Sequence, residues 1–380
     1  MKIVFTGGGT GGHFYPIIAI AQAVRELCSE RNLLTPTLYY IADKPYDEAV
    51  LFANDIIFIQ APAGKLRRYV SFSNFTDIFV TLTGVMKCFF ILLKLYPDVV
   101  ISKGGYASVP TALAASLLRL PLIIHESDSR PGRANLLVAK SATRIGVAFE
   151  SAIASFPEKV RGKIARIGIP IRKELMRLPP KDEAKAALAL DPVPTVLIMG
   201  GSLGSKRINE TVLDGLSDMV SFANVIHQTG KDHYESISST ANVILSKNPN
   251  KGRYHPHPYL NAESIVRSAS AADVVIARAG STTITELAIW AKPAILVPIP
   301  ESVSHDQRSN AYSYAQTGAA VVLEEGNMTP HVLASEARRI SSTPDIANRM
   351  SASAAGFANP AAAHIIAEEA IRISLSHESK

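Results

Sequence analysis

The sequence predicts an α/β protein made of two Rossmann-like, doubly wound domains that face each other across a cleft. Short apolar runs alternate with helical patterns from KIVFTG to LPLIIHE, which is typical of a parallel sheet covered by helices on both faces. The alternation restarts at TVLIMGG. Each half opens with a strand that runs into a glycine-rich turn, at 7–12 and at 200–205. Because ligands of open α/β sheets bind beyond the carboxyl ends of the strands, we expect the site between the domains.

The domain boundary is predicted from a cluster of prolines and charged residues between Pro170 and Pro194, which separates the two series of strands. We place the linker at the start of this segment. The first domain then spans 1–170 and is completed by a C-terminal helix over 355–380, and the second spans 171–354. A chain of 380 residues, 47% of them hydrophobic, is long enough to form two cores.

Composition and charge narrow the class of protein. Only two cysteines, Cys28 and Cys88, occur, and their wide separation argues against a disulfide framework or a zinc site. The opening MKIVFTGGGTGGH is typical of a strand and a glycine loop rather than a signal peptide, so we expect a cytoplasmic protein. The net charge of +6 leaves anionic lipid, a phosphate-bearing substrate and nucleic acid open as partners.

The first glycine loop, Gly7 to Gly12, is predicted to bind a phosphate, because its backbone can approach a ligand closely and the start of the following helix attracts an anion. His13 follows directly and is the first candidate base, since its near-neutral pKa suits proton transfer. Two alternatives stay open. The loop is also compatible with a tight turn beside a histidine that only caps or packs. It also satisfies GxGxxG, and Asp43 ends the second strand as in nicotinamide enzymes.

A second group of polar residues follows the strand LPLII. His125, Glu126 and Asp128 come at the carboxyl end of this strand, and Asn135 follows about two helical turns later. We take Glu126 as the second candidate base. In the alternative interpretation these residues form an ordinary helix N-cap.

The second half of the chain carries its own polar groups at strand ends. Ser202 in the second glycine loop and the guanidinium of Arg172 are predicted to hold a leaving diphosphate. The chain contains no Asp-x-Asp pair, so neither a metal nor another cofactor is expected. Glu286, in RAGSTTITE, and Gln307, after PAILVPIP, are candidates for binding sugar hydroxyls. The alternative for Glu286 is a capped helix with a partnered acid.

A long helix through 76–95 is apolar nearly all round and has basic residues beside it, which suits docking on anionic lipid. It falls short of the ~20 apolar residues of a spanning helix, so no bilayer crossing is expected. The alternative is that these side chains belong to the core. The apolar positions are Phe72, Phe75, Phe79, Leu82, Val85, Met86, Phe89, Phe90, Leu93 and Leu95, and the basic ones are Lys65, Arg67, Arg68, Lys87 and Lys94.

Taken jointly, the motifs resemble one bacterial family, the glycosyltransferase family 28 enzymes that convert lipid I to lipid II in peptidoglycan synthesis. The match covers nearly the whole chain through GGGTGGH, SKGGYASVP, IIHESD with PGRAN, IGIPIR, GGSLGS, HQTG, RAGSTTITE and HDQRSNA. The resemblance implies a two-domain GT-B fold and inverting transfer of N-acetylglucosamine from UDP-N-acetylglucosamine to the 4-hydroxyl of undecaprenyl-linked lipid I. It further implies a peripheral enzyme on the cytoplasmic face of an anionic inner membrane, without a nucleic-acid partner.

The resemblance also implies roles for individual residues. His13 leads as catalytic base, with Glu126 second, and Glu286 and Gln307 would bind sugar and ribose hydroxyls. The implied donor-binding residues are Thr10, Gly11, Gly12, Asp128, Asn135, Arg172, Ser202, Leu260, Ser281, Thr282, Thr283, Ile284, Thr285, Glu286 and Gln307. The chain departs from the family in two places: HESD stands where many members have HEQN, and the turn carrying Leu260 is longer than usual.

Three other functions stay open. A diacylglycerol galactosyltransferase would share the fold but use another lipid acceptor. An NAD-dependent oxidoreductase or epimerase would need a catalytic Tyr-x-x-x-Lys on a helix, and the only such spacing, Tyr40 to Lys44, falls at a strand end. A non-catalytic membrane-binding scaffold would leave the second glycine loop and RAGSTTITE without a purpose.

Overall fold

The computed structural model describes residues 1–65, 72–201, 204–301 and 305–378, and the chain forms two compact units. Unit 1 comprises Met1–Arg172 and Asn359–Lys380, and unit 2 comprises Lys173–Ala358. The chain thus passes from one unit to the other after residues 172 and 358, whereas the sequence analysis placed these two boundaries after residues 170 and 354. Ser202, Arg67 and Arg68 lie outside the described residues, as do the side chains of Phe72 and Phe75.

Unit 1 is built on a seven-stranded parallel sheet in the order β3-β2-β1-β4-β5-β6-β7. The central strands are covered on both faces, which explains why their sequences are apolar runs without alternation. The strands are β1 (Lys2–Thr6), β2 (Thr37–Ala42), β3 (Ile56–Gln60), β4 (Val99–Ser102), β5 (Leu122–Glu126), β6 (Arg144–Val147) and β7 (Ile164–Arg166).

The helices of unit 1 form two layers on this sheet. Residues Ile3 and Phe5 of β1 pack with the first helix, whereas Val4 faces the layer that contains the third and fourth helices. The helices of this part of the chain are α1 (Gly11–Glu30), α2 (Glu48–Ala53), α3 (Phe72–Leu95), α4 (Val109–Leu117) and α5 (Arg133–Val138).

Unit 2 repeats the plan with a six-stranded parallel sheet in the order β10-β9-β8-β11-β12-β13. Its strands are β8 (Thr195–Met199), β9 (Asn224–Gln228), β10 (Tyr254–His257), β11 (Val274–Ala277), β12 (Ala294–Leu296) and β13 (Ala320–Val322). Its helices are α6 (Lys181–Ala187), α7 (Lys206–Asp214), α8 (Leu216–Phe222), α9 (Tyr234–Ile244), α10 (Ala262–Ala271), α11 (Ser281–Ile289), α12 (His305–Ala315), α13 (Pro330–Ser341) and α14 (Pro344–Phe357). The two doubly wound sheets predicted from the sequence are confirmed.

The last helix, α15 (Ala362–Glu378), belongs to unit 1 and packs against α1. Ile366, Ala370 and Ile371 are buried in the same core as the face of α1 they contact. The pair Arg31–Glu368, 2.5 Å apart, lies at the surface, where ion pairs contribute little. Burial of apolar area therefore holds α15 in place.

The strand order fixes where each unit can bind a ligand. In unit 1 the order reverses between β1 and β4, and in unit 2 between β8 and β11. The first glycine loop follows β1 at one reversal, and Gly200 and Gly201 follow β8 at the other. Open α/β sheets bind ligands at this switch point, so each unit carries one candidate site.

Candidate active site

The first glycine loop is packed closely against the turn that follows β4. Gly9 has a φ of +92°, and a Cβ atom there would lie 2.9 Å from Cε1 of Tyr106. Gly105 has a φ of +80°, and a Cβ atom there would lie 2.8 Å from the carbonyl oxygen of Gly8. A larger residue at either position would be strained and would push the two turns apart. Glycine is therefore required for the shape of this site.

His13 lies in the first turn of α1, and its Nδ1 is 2.9 Å from Oγ1 of Thr10. The other edge of the ring faces the turn after β4, since a Cβ atom on Gly105 would lie 3.6 Å from Nε2. Burial and then the positive charge of Lys103 lower the pKa of His13 to about 4, while the charge of Asp128 acts in the opposite direction. The imidazole is thus neutral at pH 7 and able to accept a proton.

Glu126, at the end of β5, is a buried carboxylate whose two oxygens both accept hydrogen bonds from the segment that follows. Oε1 accepts from the backbone N–H of Asp128 at 3.0 Å. Oε2 accepts from the N–H of Gly132 and from Nδ2 of Asn135, each at 2.9 Å. Burial and the charge of Asp128 raise the pKa of Glu126, and these hydrogen bonds oppose the rise. Because both oxygens are engaged, the geometry favours His13 over Glu126 as the base.

Asn135 connects this segment to the neighbouring strands. Its Nδ2 also donates to the carbonyl oxygen of His125 at 3.3 Å, and a Cβ atom on Gly104 would lie 2.9 Å from Nδ2. His125 is fully buried, and its Nε2 lies 2.7 Å from the carbonyl oxygen of Gly168. Burial lowers the pKa of His125 well below its usual value. We call His13, Glu126, Asp128 and Asn135 the His13 cluster; the assignment of Asp128 and Asn135 to the donor stays a prediction.

Arg172 is the last residue of Met1–Arg172, the first of the two chain segments that make up unit 1. Its guanidinium carbon is 4.3 Å from the ring centroid of Tyr15, the distance of a cation–π contact. Tyr15 follows the glycine loop in α1, so this contact holds Arg172 against the helix that begins at the loop. The contact of Arg172 with a donor diphosphate stays a prediction.

Arg278 organises the loops of unit 2, and the sequence analysis did not assign it a role. Its guanidinium donates to Oγ of Ser205 at 2.6 Å and to the carbonyl oxygen of Val297 at 3.1 Å, and it pairs with Glu325. The side chain is only 13% exposed. Arg278 therefore connects the loops that follow β8, β11, β12 and β13. The feature of the sequence that could have identified Arg278 is its position directly after a buried strand.

Gln228 was also missed, although its motif HQTG was part of the family pattern. Its Nε2 donates to the carbonyl oxygen of Gly201 at 2.9 Å, and its Oε1 accepts from the N–H of Leu260 at 3.2 Å. This side chain places Leu260 next to the second glycine loop. Leu260 itself is 5% exposed. Its role as a neighbour of the uracil ring stays a prediction.

Helix α11 carries most of the predicted donor-binding residues. Ile284 and Thr285 are buried, and Oγ1 of Thr285 donates to the carbonyl oxygen of Ser281 at 3.0 Å. The side chains of Ile284 and Thr285 therefore pack inside unit 2, and their assignment to the donor stays a prediction. The half-buried members of the set are Thr282, Thr283 and Glu286.

Gln307, in the first turn of α12, is half-buried. Its Oε1 accepts a hydrogen bond from the N–H of Ile299 at 3.3 Å, which holds the loop after β12. The amide Nε2 is then the group that Gln307 can offer to a ligand.

Two parallel α/β units, each with glycines directly after the strand at its switch point, have the architecture of the GT-B fold. The chain matches the N-terminal domain of glycosyltransferase family 28 over residues 3–147 and the C-terminal domain over 195–365. It belongs to this family, which confirms the predicted family, fold class and enzyme class. Membership also removes the oxidoreductase alternative.

Named relatives match over most of the chain. It is 36% identical over 93% of its length to the "UDP-N-acetylglucosamine--N-acetylmuramyl-(pentapeptide) pyrophosphoryl-undecaprenol N-acetylglucosamine transferase" of Clostridium kluyveri, covering 95% of that protein. It is 35% identical to the protein of the same name from Treponema denticola, over 87% of this chain and 85% of that one. The crystal structure of Acinetobacter baumannii MurG superposes with a TM-score of 0.73 at 24% identity, covering 98% of this chain and 99% of that one.

Proposed function

We propose that the protein transfers N-acetylglucosamine from UDP-N-acetylglucosamine to the muramoyl 4-hydroxyl of undecaprenyl-diphospho-N-acetylmuramoyl-pentapeptide, with inversion, to give lipid II. The observation that carries this proposal is the 36% identity, over 93% of the chain, to a transferase whose name states this donor and acceptor. The structure supplies groups suited to the reaction. Each unit has a helix N-terminus at its switch point for a diphosphate, and unit 1 has a neutral imidazole beside it.

In the proposed reaction the acceptor hydroxyl attacks the anomeric carbon, the new glycosidic bond forms, and the bond from this carbon to the diphosphate breaks. Nε2 of His13 takes the hydroxyl proton, because Nδ1 is engaged by Thr10. Glu126 holds the segment after β5 in shape. The N–H groups at the start of α11 and of the second glycine loop stabilise the negative charge that develops on the departing UDP.

The direct test is to incubate the purified protein with labelled UDP-N-acetylglucosamine and a short-chain lipid I analogue. We expect a labelled disaccharide lipid with inverted configuration at the transferred sugar. Diacylglycerol in place of lipid I, and UDP-galactose in place of UDP-N-acetylglucosamine, are the matched substrates for the runner-up function. Product from these and none from lipid I would overturn the proposal.

The pH dependence should differ between the free enzyme and its complexes. The base must be unprotonated, so activity is lost as the pH falls through the pKa of His13, which is about 4 in the free enzyme. Both substrates carry a diphosphate, and negative charge near the imidazole raises its pKa. We therefore expect the acidic limb of kcat, which reports the complex, to lie at higher pH than that of kcat/KM. Coincident limbs would contradict His13 as the base at a phosphate-binding loop.

Donor specificity is expected to depend on Glu286 and Gln307. Replacing both by alanine should reduce the preference for UDP-N-acetylglucosamine over its 4-epimer by about tenfold to hundredfold, since unmade polar contacts cost more than lost apolar ones. The measurement is the ratio of kcat/KM for the two donors. The control is Glu263→Ala, an exposed acid of α10 that pairs with Arg267. An unchanged ratio in the double variant would place donor selection elsewhere.

We also propose that α3 attaches the protein to the anionic surface of the inner membrane. Among the described residues, one helix segment, Thr76–Leu95, is long and apolar enough to cross a membrane by length and composition, so the expectation that it falls short of a spanning helix was wrong. One side of this helix is packed inside unit 1, because Cys88 and Leu92 are fully buried and a Cβ atom on Gly84 would lie 1.9 Å from the carbonyl oxygen of Pro62. A helix held in this way supports surface attachment rather than crossing.

The other side of α3 is exposed and apolar. Met86 is 64% exposed and Phe90 is 63% exposed. Five exposed apolar side chains of α3 are spaced by three or four residues. Because such side chains share one face of a helix, they form a continuous apolar stripe. Lys87 and Lys94 are exposed on the same helix and suit an anionic surface. The stripe consists of Phe79, Leu82, Met86, Phe90 and Leu93.

The attachment predicts a selective loss of lipid binding. The double variant Met86→Ser, Phe90→Ser should lower the fraction that co-sediments with anionic vesicles by about tenfold or more, because two large apolar side chains no longer enter the interface. Turnover of a soluble short-chain acceptor should not change. Phe52→Ser is the control, since Phe52 is 86% exposed on α2 of the same unit. Vesicle binding as in the wild type, or early melting of the variant, would refute the attachment.

A further inference from the structure

One charged side chain of unit 1 is buried beside the proposed base and has no role in the reaction described above. Lys103, the first residue after β4, is 1% exposed. Its backbone N–H donates to the carbonyl oxygen of Thr6 at 2.8 Å, which fixes it next to the end of β1. A Cβ atom on Gly7 would lie 2.9 Å from the Cβ of Lys103, so the lysine stem packs directly under the first glycine loop.

The ammonium group of Lys103 reaches the turn that follows β5. Its Nζ donates to Oγ of Ser127, which lies between the two acidic residues of the His13 cluster. A buried ammonium ion is costly unless opposite charge lies near it. Glu126 and Asp128 supply that charge, and both oppose the effect of burial, which lowers the pKa of Lys103 to about 8.

Lys103 therefore joins three segments that meet at the switch point: the loop after β1, the turn after β4 and the turn after β5. The charges that act on His13 come from Lys103, directly after β4, and from Asp128 after β5, and His13 in turn acts on His125 of β5. Beyond the glycine loop, Tyr106 packs against Gly9 and donates to Asp43 at 2.9 Å.

We propose that Lys103 is a positioning residue, which ties the turn after β5 to β4 and offsets the negative charge of Glu126 and Asp128 beside His13. Without its charge, the carboxylate of Asp128 would act on the imidazole unopposed, and the imidazole would hold a proton more readily. With it, the pKa of the imidazole, which burial already lowers, is lowered further. The inference rests on the proposed function only in taking His13 as the base.

The test is Lys103→Met, which keeps an unbranched side chain only one atom shorter and removes its charge. Protein labelled with ¹³C at histidine is titrated by NMR, and the signal of His13 is assigned with His13→Ala. We expect the pKa of His13 to rise by about one pH unit, as is usual when a nearby positive charge is lost. The acidic limb of kcat/KM should move to higher pH by the same amount.

The matched control is Lys292→Met in unit 2. Lys292 is also largely buried, with its pKa lowered by burial to about 8, and its Nζ donates to the carbonyl oxygens of Ser270 and Ala272. Its replacement should leave the titration of His13 unchanged. A second variant, Ser127→Ala, keeps the charge but removes the hydrogen bond, and a smaller shift in the same direction is expected.

A folded Lys103→Met protein in which His13 titrates as in the wild type would overturn the proposal. Should this variant not fold, Lys103→Gln is titrated in its place, with the same expected and overturning results. Failure of both variants to fold would also overturn it, because Lys103 would then be required for the fold itself. The NMR titration needs no turnover, so its outcome is separate from a failure of the wild type to make lipid II.

Discussion

His13→Ala is expected to lower kcat for lipid II formation by about 10²- to 10⁴-fold, the usual contribution of a positioned general base. The imidazole is neutral in the free enzyme because burial and Lys103 lower its pKa to about 4, and its Nδ1 is fixed by Thr10. Removing the ring takes away the proton acceptor. The measurement is single-turnover transfer at saturating donor and acceptor, with UDP affinity followed by calorimetry.

His331→Ala provides the control, because His331 is an exposed histidine in unit 2. Added imidazole should restore part of the activity of His13→Ala, since a small base can enter the space that the ring leaves. A variant that keeps wild-type kcat would exclude His13 as the base. A variant that loses UDP affinity and kcat in equal proportion would show that His13 contributes to binding instead.

Glu126→Ala is expected to destabilise unit 1 by roughly 2–4 kcal/mol. The substitution removes the acceptor of the N–H groups of Asp128 and Gly132, and the Nδ2 group of Asn135 keeps only its 3.3 Å hydrogen bond to the carbonyl oxygen of His125. A buried donor that loses its partner costs about 1–3 kcal/mol. For a unit of this size, such a loss corresponds to a fall in Tm on the order of 10 °C, measured by calorimetry.

Glu158→Ala is the matched control, since Glu158 is an exposed acid in the same unit, and its Tm should not change. Glu126→Gln should be intermediate, because it keeps the volume but replaces one accepting oxygen by an NH₂ group. A Glu126→Ala protein with the Tm of the wild type and no activity would contradict the structural role, and it would restore Glu126 as a candidate base.

The parallel sheets were predictable because central strands buried on both faces leave uninterrupted apolar runs, as in VVIS of β4 and TVLIM of β8. The start of α1 was harder to predict from the sequence. The apolar pattern of this helix begins at Tyr15, whereas the helix starts at Gly11. Apolar periodicity carries no information on a first turn made of glycine and histidine, and Thr10, the residue before it, directs its hydroxyl to His13.

The His13 cluster was anticipated in part, because residues at the carboxyl ends of neighbouring strands meet at one edge of a parallel sheet. Its supporting contacts were not. Lys103 bonds to Ser127, and Arg278 pairs with Glu325, over separations in sequence that no local pattern spans. A lysine or arginine after a strand is usually solvated, so burial distinguishes these two, and burial follows only from the assembled fold.

The return of α15 to unit 1 sets the order in which the nascent chain can mature on the ribosome. Translation delivers residues in sequence, at about 5–20 per second, and domains generally fold as units while synthesis continues. Residues 173–358 form an uninterrupted stretch, so the second unit has all its parts before the first one does. Until Ala362–Glu378 emerges, the apolar side of α1 that packs against Ile366 and Ile371 has no cover. The unit that begins first is the last to be completed, and for that interval the apolar face of α1 stays exposed to solvent.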